Sequence, residues 1–477
     1  MLFLCTTFLE KRNMKKLLFA TLLLMAEGLS GQAQETADTC LSLSLDSCRA
    51  LALRHNKAVL MARRGIDEAE WEHRAATSKL LPRVSASGAY VRTSRELSLL
   101  SDGQKTLLGS GALLGDMGAT LVDALRTDTR DFTTVSALLT QPLYMGGKIL
   151  AYQKMTLLAE DIARQKHELA RQDVVVEVDE TYWHIVLLQE RQRLAKSYLK
   201  LVQKLDHDVE ARVEEGMATR ADELSVRVKV NEADVTLIQL ANGISLMQMK
   251  LCQLCGLPMD TPVCPENMEG KGTLEVNEPK IPQPTFFNRT PFDRRPELQM
   301  LSLATRIGDQ KLRATRAEFL PQVALTGGWV GTNPSVFNGF ERRLKGMWSV
   351  GVMVNVPIVT SGERIYKVNA AKARVNIARL ELSEAREQVE LEVSQCRQRL
   401  TEANERLAAA RTSQAAADEN LRHATLGYSE GVLPVSNVLE AQTAWLSAHS
   451  LVVGAEIDQQ LAVLHFRKAI GGLGTTP

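Results

Sequence analysis

Two long stretches of the chain contain almost no residue that interrupts a helix. Residues 148–215 hold neither glycine nor proline, and residues 363–430 hold only Gly427. At about 1.5 Å per residue, a helix through either stretch is about 100 Å long. Apolar residues recur along them mainly at spacings of three and four, which is typical of helices that pack lengthwise. The chain is therefore predicted to be mainly α-helical and elongated, with long antiparallel hairpins.

The two stretches belong to an internal twofold repeat. The segment LLPRVSASGAYV from Leu80 matches FLPQVALTGGWV from Phe319, at a separation of 239 residues. Further along, matched residues such as Gly216 and Gly431 are separated by 215 residues. Because a repeated sequence predicts a repeated structural unit, each copy is expected to form a helix, a strand, a loop, a strand, a very long helix, a turn and a helix.

The repeat fixes the predicted bounds of both copies. Copy one occupies residues 41–258, with strands at 83–92 and 132–141 and helices at about Asp46 to Leu80, 148–215 and 219–256. Copy two occupies residues 296–473, with a first helix, strands at 322–331 and 347–356, and helices at 363–430 and 434–470. Residues 259–295 are predicted to be a non-helical linker, because eight of the fifteen prolines fall between Pro258 and Pro296.

The two predicted strands of copy two alternate apolar residues with others at a period of two, and four strands are predicted in all. Each is close to the roughly 9 to 11 residues with which a tilted strand crosses a bilayer, and Tyr90, Trp329 and Trp348 are candidates for the membrane interface. The same pattern also fits an ordinary hairpin with one buried face. Four strands cannot close a barrel in lipid, so a membrane location requires several chains, and three chains supply twelve strands.

The N-terminus has the zones of a secretory signal. The basic sequence MKK begins at Met14, and an apolar run from Leu17 to Ala26 and small residues up to Ala33 follow it. Residues 1–33 are therefore predicted to be a signal peptide cleaved after Ala33, with Met14 as an alternative start. The sequence before Cys40 lacks the residues of a lipoprotein signal, so we expect no lipid anchor there.

Little in the chain suggests catalysis, a cofactor or nucleic acid as partner. The formal net charge is +1, which argues against nucleic acid. The cysteine spacing indicates no disulfide framework. Met247, Cys252 and Cys255 lie near one helical face and have the ligand types that suit Cu(I), but no second Cys-x-x-Cys or nearby His accompanies them, so simple packing is favoured. We find no helical His pair and no phosphate-binding loop. We therefore expect no enzyme activity, cofactor or metal.

Each long stretch ends in the pattern Gly-x-x-x-x-x-Asx-x-Leu. Gly216 and Gly431 permit a tight turn because glycine accepts a positive φ. Asp222 and Asn437 follow at the same spacing and are predicted to cap the returning helices. In this interpretation Tyr428 is simply a packing aromatic residue.

The signal, the repeat, the two Leu-Pro-x-Val strands and the two tip turns together resemble the TolC-type outer-membrane efflux family, over about Leu41 to Leu473. The resemblance implies a homotrimer in which four strands per chain form one twelve-stranded β-barrel in the outer membrane of a Gram-negative bacterium. A helical α-barrel would continue it through the periplasm. The implied function is a passive, tip-gated exit duct for small molecules, fed by an inner-membrane transporter, most simply of the RND type, through a periplasmic adaptor (membrane fusion protein).

The resemblance also assigns roles to residues at the tips. Asp222 and Tyr428 fall where the family can hold neighbouring hairpins closed by a hydrogen-bonded tether. Asn437 and Glu440 fall where members can place acidic rings at the periplasmic aperture. Leu433 stands where a tethering arginine can occur, and Asn437 replaces an aspartate, so Glu440 would be the one aperture carboxylate in each chain. Tip turns and adaptor docking are implied at Gly216, Thr219, Leu224, Gly431, Val435 and Leu439.

Three other functions remain open at this stage. The same architecture can serve as a type I protein secretion duct. A coiled-coil scaffold without a pore would fit the helices but would leave the apolar strand faces unexplained. A periplasmic thiol enzyme using Cys252 and Cys255 would explain neither the repeat nor the tip turns.

Overall fold

The structure is a computed structural model that describes residues 41–94, 101–109, 117, 130–266, 295–337 and 342–474. The predicted signal peptide, Cys40 and most of the predicted linker lie outside the described residues. The elements, in chain order, are β1 (Leu41–Leu43), α1 (Leu45–His55), α2 (Lys57–Ser78), β2 (Arg83–Arg92), α3 (Asp102–Gly109), β3 (Asp131–Met145), α4 (Lys148–Glu214), α5 (Arg220–Cys255), β4 (Val263–Pro265), α6 (Pro296–Ala317), β5 (Gln322–Asn333), β6 (Lys345–Asn355), α7 (Glu363–Ser429), α8 (Val435–Ala469) and a short 3₁₀ helix (Gly472–Gly474).

The long helices α4 and α7 each contain 67 residues. Each begins after a glycine in the left-handed region, with φ of 84° at Gly147 and 82° at Gly362. Each ends at a second left-handed glycine, with φ of 75° at Gly216 and 74° at Gly431. Glycine adopts this conformation without a Cβ clash, so the sequence itself sets where both helices start and stop.

The helices form one layer with two halves, which share α4 and α7. Between the middle and the sheet, α2 packs on α4, α4 on α6, and α6 on α7. Between the middle and the tip turns, α5 packs on α4, α4 on α8, and α8 on α7. The layer therefore has α7 at one edge and α2 or α5 at the other. Within the described residues, no helix combines the length and apolar character needed to cross a membrane.

The first helical segment differs from its prediction. One helix was expected from about Asp46 to Leu80, but α1 ends at His55 and α2 begins at Lys57, because Asn56 has an extended backbone. The Asn56 side chain accepts a hydrogen bond from the Ala58 N–H at 2.8 Å and donates one to the Leu254 carbonyl at 3.1 Å. These two bonds stabilise the break, and an asparagine favours such a cap.

A core at the middle of the chain joins α1 to α4, α5, β4 and α8. Cys48, Cys252 and Cys255 are fully buried in it, with free thiols. Met247 packs against the same cluster. The cysteine spacing did not predict the disulfide bond that Cys264 forms. No group of side chains in the described part of the chain has the composition of a metal site.

The strands form one antiparallel sheet in the order β2-β3-β5-β6. Strand β3 extends to Met145, four residues beyond its predicted end, and its pairing with β5 is irregular between Pro142 and Tyr144. Residues directly opposite each other share a face of a sheet. The register therefore places apolar side chains together on one face, which we call the apolar face: Val84, Val135, Leu139, Leu325, Trp329, Trp348, Val350, Val352 and Val354. Hydroxyl residues, including the hydrogen-bonded pair Ser87 and Ser136, lie on the other face.

The interpretation of the strands as an ordinary hairpin with one buried face is wrong for this chain. Every residue of β2 is exposed, and every residue of β6 but the first. Val350 and Trp348 are 68% and 76% exposed. Among the described elements, the strands of this sheet make their substantial contacts with one another and not with a helix. Within the described residues, no further strand pairs with β2 or β6 at the outer edges of the sheet, and no helix covers its apolar face.

Candidate functional site at the hairpin tips

Both hairpins turn through the same backbone motif. In the first, the Met217 N–H donates to the Arg212 carbonyl at 2.7 Å and the Gly216 N–H to the Val213 carbonyl at 3.1 Å. In the second, the Val432 N–H donates to the Gly427 carbonyl at 2.8 Å, with a matching bond at Gly431. This is the Schellman arrangement, in which a left-handed glycine follows the helix and the last carbonyls are satisfied.

The glycine requirement can be tested with one chemical change at two places. Gly431→Ala is expected to destabilise the tip by about 1–2 kcal/mol, because an L-residue pays that cost in the left-handed region. Gly65→Ala is the control: Gly65 lies inside α2 and a Cβ there meets nothing within 4 Å. That substitution should stabilise by about 1 kcal/mol through helix propensity. Denaturant unfolding and amide exchange at the tip measure both, and equal signs would contradict the argument.

The returning helices start differently. Helix α5 has a capping box, in which the Thr219 hydroxyl accepts from the Asp222 N–H at 3.2 Å and the Asp222 carboxylate accepts from the Thr219 N–H at 3.0 Å. Asp222 therefore takes part in capping, at the third helical position. The capping prediction for Asn437 is wrong, because the N-cap of α8 is Pro434 and no side chain caps it. Proline's fixed φ suits a helix start, and Asn437 lies one turn further in.

The two hairpins of one chain share an apolar core at the tip. It contains Val202, Leu205 and Val209 of α4, Val226 of α5, Tyr428 of α7, and Val435, Val438 and Leu439 of α8. Val435 and Leu439, implied as docking residues, are 6% and 9% exposed. Thr219 and Leu224 are exposed, as are Gly216 and Gly431 in the turns themselves. The surface available at the tip thus comes from the turns and the outer side of α5.

The two residues implied at the aperture lie on one exposed face of α8. Asn437 and Glu440 are both exposed, while Val438 and Leu439 between them face the tip core. A spacing of three places their side chains next to each other on the helix surface. Their position at the free end of the hairpin agrees with the implied role, which stays a prediction.

The implied tether between Asp222 and Tyr428 is not formed within one chain. The Asp222 carboxylate is engaged by Thr219. The Tyr428 side chain is 9% exposed, and its hydroxyl is buried with no hydrogen-bond partner among the described residues. Burial raises the pKa of Tyr428, and Arg212 opposes this rise, so the phenol stays protonated at neutral pH. A tether to a neighbouring chain stays a prediction.

Sequence reasoning missed the contacts that Arg212, Arg220 and Arg227 make at the tip. The Arg212 guanidinium lies 4.3 Å from the centre of the Tyr428 ring and donates to the Ser429 carbonyl at 3.3 Å. Glu223 is 2% exposed and is paired with Arg227 at 3.1 Å and with Arg220. The repeat carried a signal for the contact of Arg212. The equivalent position in copy two is Gly427, so the two copies differ there in both side-chain size and charge.

Three comparisons with known proteins bear on this arrangement. A family model described as outer membrane efflux protein matches residues 49–257 and 292–472. The alkaline protease secretion protein AprF of Pseudomonas aeruginosa is 25% identical over 291 residues, which cover 57% of this chain and 59% of that protein. The chain thus spans less than two thirds of that relative's length.

A second relative matches over more of its length. The probable efflux pump outer membrane protein TtgC of Pseudomonas putida is 23% identical over 424 residues, which cover 88% of this chain and 81% of that protein. Among solved structures, the outer membrane protein VceC of Vibrio cholerae superposes with a TM-score of 0.71 at 17% identity, covering 90% of this chain and 96% of that one. This likeness shows that the two chains share a fold.

Proposed function

Because the chain belongs to the outer membrane efflux protein family, we propose that it is the passive exit duct of a tripartite efflux system. In this proposal it acts as a homotrimer, whose strands close one twelve-stranded barrel in the outer membrane and whose helices form a tube through the periplasm. Small molecules enter at the hairpin tips, which open and close, and leave through the barrel.

The sheet is the single observation that carries this proposal. Among the described elements, no strand pairs with the outer edges of β2 and β6, and no helix covers the apolar face. Unpaired strand edges are not tolerated in lipid, because no water satisfies their N–H and C=O groups. Joining β6 of one copy to β2 of the next removes both edges, while the apolar face meets lipid and the hydroxyl face lines the lumen.

The helical layer supports the same closure. Its open edges are α7 on one side and α2 or α5 on the other. Helix α5 carries exposed apolar residues at spacings of three, four, seven and eight, which is the repeat of a helix seam: Leu224, Val228, Val235, Ile238, Leu246 and Met249. Helix α7 exposes its own apolar residues, Ile377, Leu380, Leu391 and Leu426. Packing α7 of one copy against α5 and α2 of the next buries both sets and closes a ring at each level.

The partners follow from the same proposal. A duct without a phosphate-binding loop draws no energy from nucleotide hydrolysis itself, so a transporter in the inner membrane, of the RND type, must drive export. A periplasmic adaptor would bridge this transporter to the exposed tip turns around Gly216 and Gly431. The name of TtgC, a probable efflux pump outer membrane protein, supports a role in an efflux pump.

Protein secretion is the second candidate, because AprF is named as a secretion protein. The two candidates differ in what a strain lacking this gene loses. Increased sensitivity to toxic small molecules would support efflux. Loss of a protein from the growth medium, with unchanged sensitivity, would support secretion.

The duct itself is tested by planar-bilayer conductance of the detergent-extracted protein, with the mass of the complex measured in parallel. A trimer that gives discrete conductance steps is expected. A water-soluble protein without conductance would contradict the proposal and leave a coiled-coil scaffold as the better explanation.

Glu440→Lys is expected to shift the channel from cation preference towards anion preference. In a trimer, Glu440 is repeated around the aperture, and a ring of one sign in a narrow opening concentrates ions of the other sign. The reversal potential under a KCl gradient measures the effect, and Glu440→Gln should give an intermediate value. Three identical reversal potentials would remove Glu440 from the aperture.

A further inference from the structure

A polar side chain of the first hairpin, Arg212, contacts the second hairpin of the same chain at the tip. Arg212 lies in the last turn of α4 in the first hairpin, while Tyr428 and Ser429 form the end of α7 in the second. The guanidinium stacks on the tyrosine ring at 4.3 Å and donates to the Ser429 carbonyl at 3.3 Å. A cation is favoured at the C-terminal end of a helix, where carbonyl groups lack helical partners.

The second copy of the repeat has no arginine at the position equivalent to Arg212. The residue that matches Arg212 in copy two is Gly427, and Leu433 matches Ala218. A Cβ on Gly427 would lie 2.7 Å from the Leu433 side chain, so the glycine makes room for the leucine to pack onto α7. The first tip thus has Arg212 and the small Ala218, whereas the second tip has Gly427 and the larger Leu433 at the equivalent positions.

The contact works through the ring of Tyr428 and not through its hydroxyl. The hydroxyl is buried without a hydrogen-bond partner among the described residues, and burial raises the pKa of this phenol. A neutral phenol presents Arg212 with a ring face, to which a guanidinium is attracted electrostatically. Such a contact, combined with a hydrogen bond to a backbone carbonyl, involves no anion.

We propose that Arg212 is the positioning residue that holds the two hairpin tips of each protomer together, through the Tyr428 ring and the Ser429 carbonyl, and so sets how readily the tip opens. The proposal rests on the duct function argued above. Leu433 stands where the family can have a tethering arginine, and its side chain has no donor group. In this proposal Arg212 holds the hairpins together instead, through a contact within one protomer.

The test is single-channel recording of trimers carrying Arg212→Met, which keeps the length of the side chain and removes its charge and donors. We expect the ratio of open to closed time to rise roughly tenfold, which corresponds to about 1.4 kcal/mol. The matched control is Arg422→Met, because Arg422 is an exposed arginine near the same tip whose contacts lie within its own helix, with Glu419 and His423. The control should behave as the unchanged protein.

Two further variants separate the ring from the hydroxyl. Tyr428→Leu should raise the open ratio as Arg212→Met does, and by more than Tyr428→Phe, which keeps the ring. The double variant Arg212→Met/Tyr428→Leu should raise the open ratio by less than the sum of the two single effects, since both changes remove the contact between the guanidinium and the ring. Equal effects of the Leu and Phe variants, additive single effects, or an Arg212→Met variant that matches its control would each overturn the proposal.

Failure of the duct and failure of this contact give different results. An unchanged protein without conductance contradicts the proposed function. The contact is then decided by the same double-variant comparison on thermal unfolding of the extracted protein, where non-additive losses support it and additive losses overturn it.

Discussion

Arg49→Met is expected to be among the most destabilising single changes in the helical part of the chain. Asp179 is 1% exposed, and its two carboxylate oxygens accept from Arg49 Nε at 2.7 Å and from Nη2 at 2.5 Å. Removing one partner of a buried ion pair costs about 3–5 kcal/mol, because the remaining charge is left uncompensated. Unfolding followed by circular dichroism in detergent measures the loss.

Two companion variants test that cause. Asp46→Asn removes only the exposed contact of Arg49 at 2.9 Å and should cost less than about 1 kcal/mol. Arg49→Met/Asp179→Met removes both buried charges and should recover most of the loss, because an apolar pair of similar volume replaces a buried ion pair with little penalty. A double variant as unstable as Arg49→Met would contradict the argument.

The pH dependence has a definite sign. Burial raises the pKa of Asp179, and Arg49 opposes this rise, so removing Arg49 lets the pKa rise further. A carboxyl whose pKa is raised on folding stabilises the protein below its unfolded pKa and loses that contribution as the pH rises through the folded pKa. The Arg49→Met variant should therefore lie closer to the unchanged protein in acid than at neutral pH.

Gly346→Val is expected to abolish assembly of the proposed twelve-stranded barrel. Gly346 and Gly331 are direct partners in the register of β5 and β6, and the Trp329 ring covers both. A Cβ at Gly346 would lie 2.2 Å from this ring. The ring must leave its place on the apolar face, and overpacking of this kind costs about 1–3 kcal/mol in each chain.

The matched control for this change lies in the same strand. A Cβ at Gly351 meets nothing within 4 Å in the described chain, so Gly351→Val should assemble normally. The yield of detergent-stable oligomer and the number of conductance events measure both variants. Equal yields would show that the Trp329 ring moves without cost and would remove its role in ordering β5 against β6.

The sequence predicted the local features of the tip well and its distant contacts poorly. Gly216 and Gly431 were identified as turn residues because a positive φ is a local requirement. Asp222 was predicted to cap α5 by itself. The N-cap is Thr219, and Asp222 completes the capping box from the third helical position. The prediction that Asn437 caps α8 was wrong, because the N-cap of this helix is Pro434, three residues earlier.

The family resemblance is confirmed by the match of residues 49–257 and 292–472. That resemblance pointed to Leu433 as a place where an arginine was missing. The arginine that contacts the neighbouring hairpin, Arg212, lies 217 residues before its acceptor Ser429. No local pattern reports such a pairing, and only the mismatch of Arg212 with Gly427 in the repeat hinted at it.

By itself, the sequence determined what depends on neighbours along the chain. The two 67-residue helices, their glycine ends and the alternation of the strands follow from backbone freedom and side-chain period, which act over a few residues. The tertiary structure alone decided which faces are covered. Two examples are the ion pair between Arg49 and Asp179 and the apolar core that both tips share. Both depend on packing between residues more than a hundred positions apart. Packing of this kind is a property of the assembled chain, and no short segment encodes it.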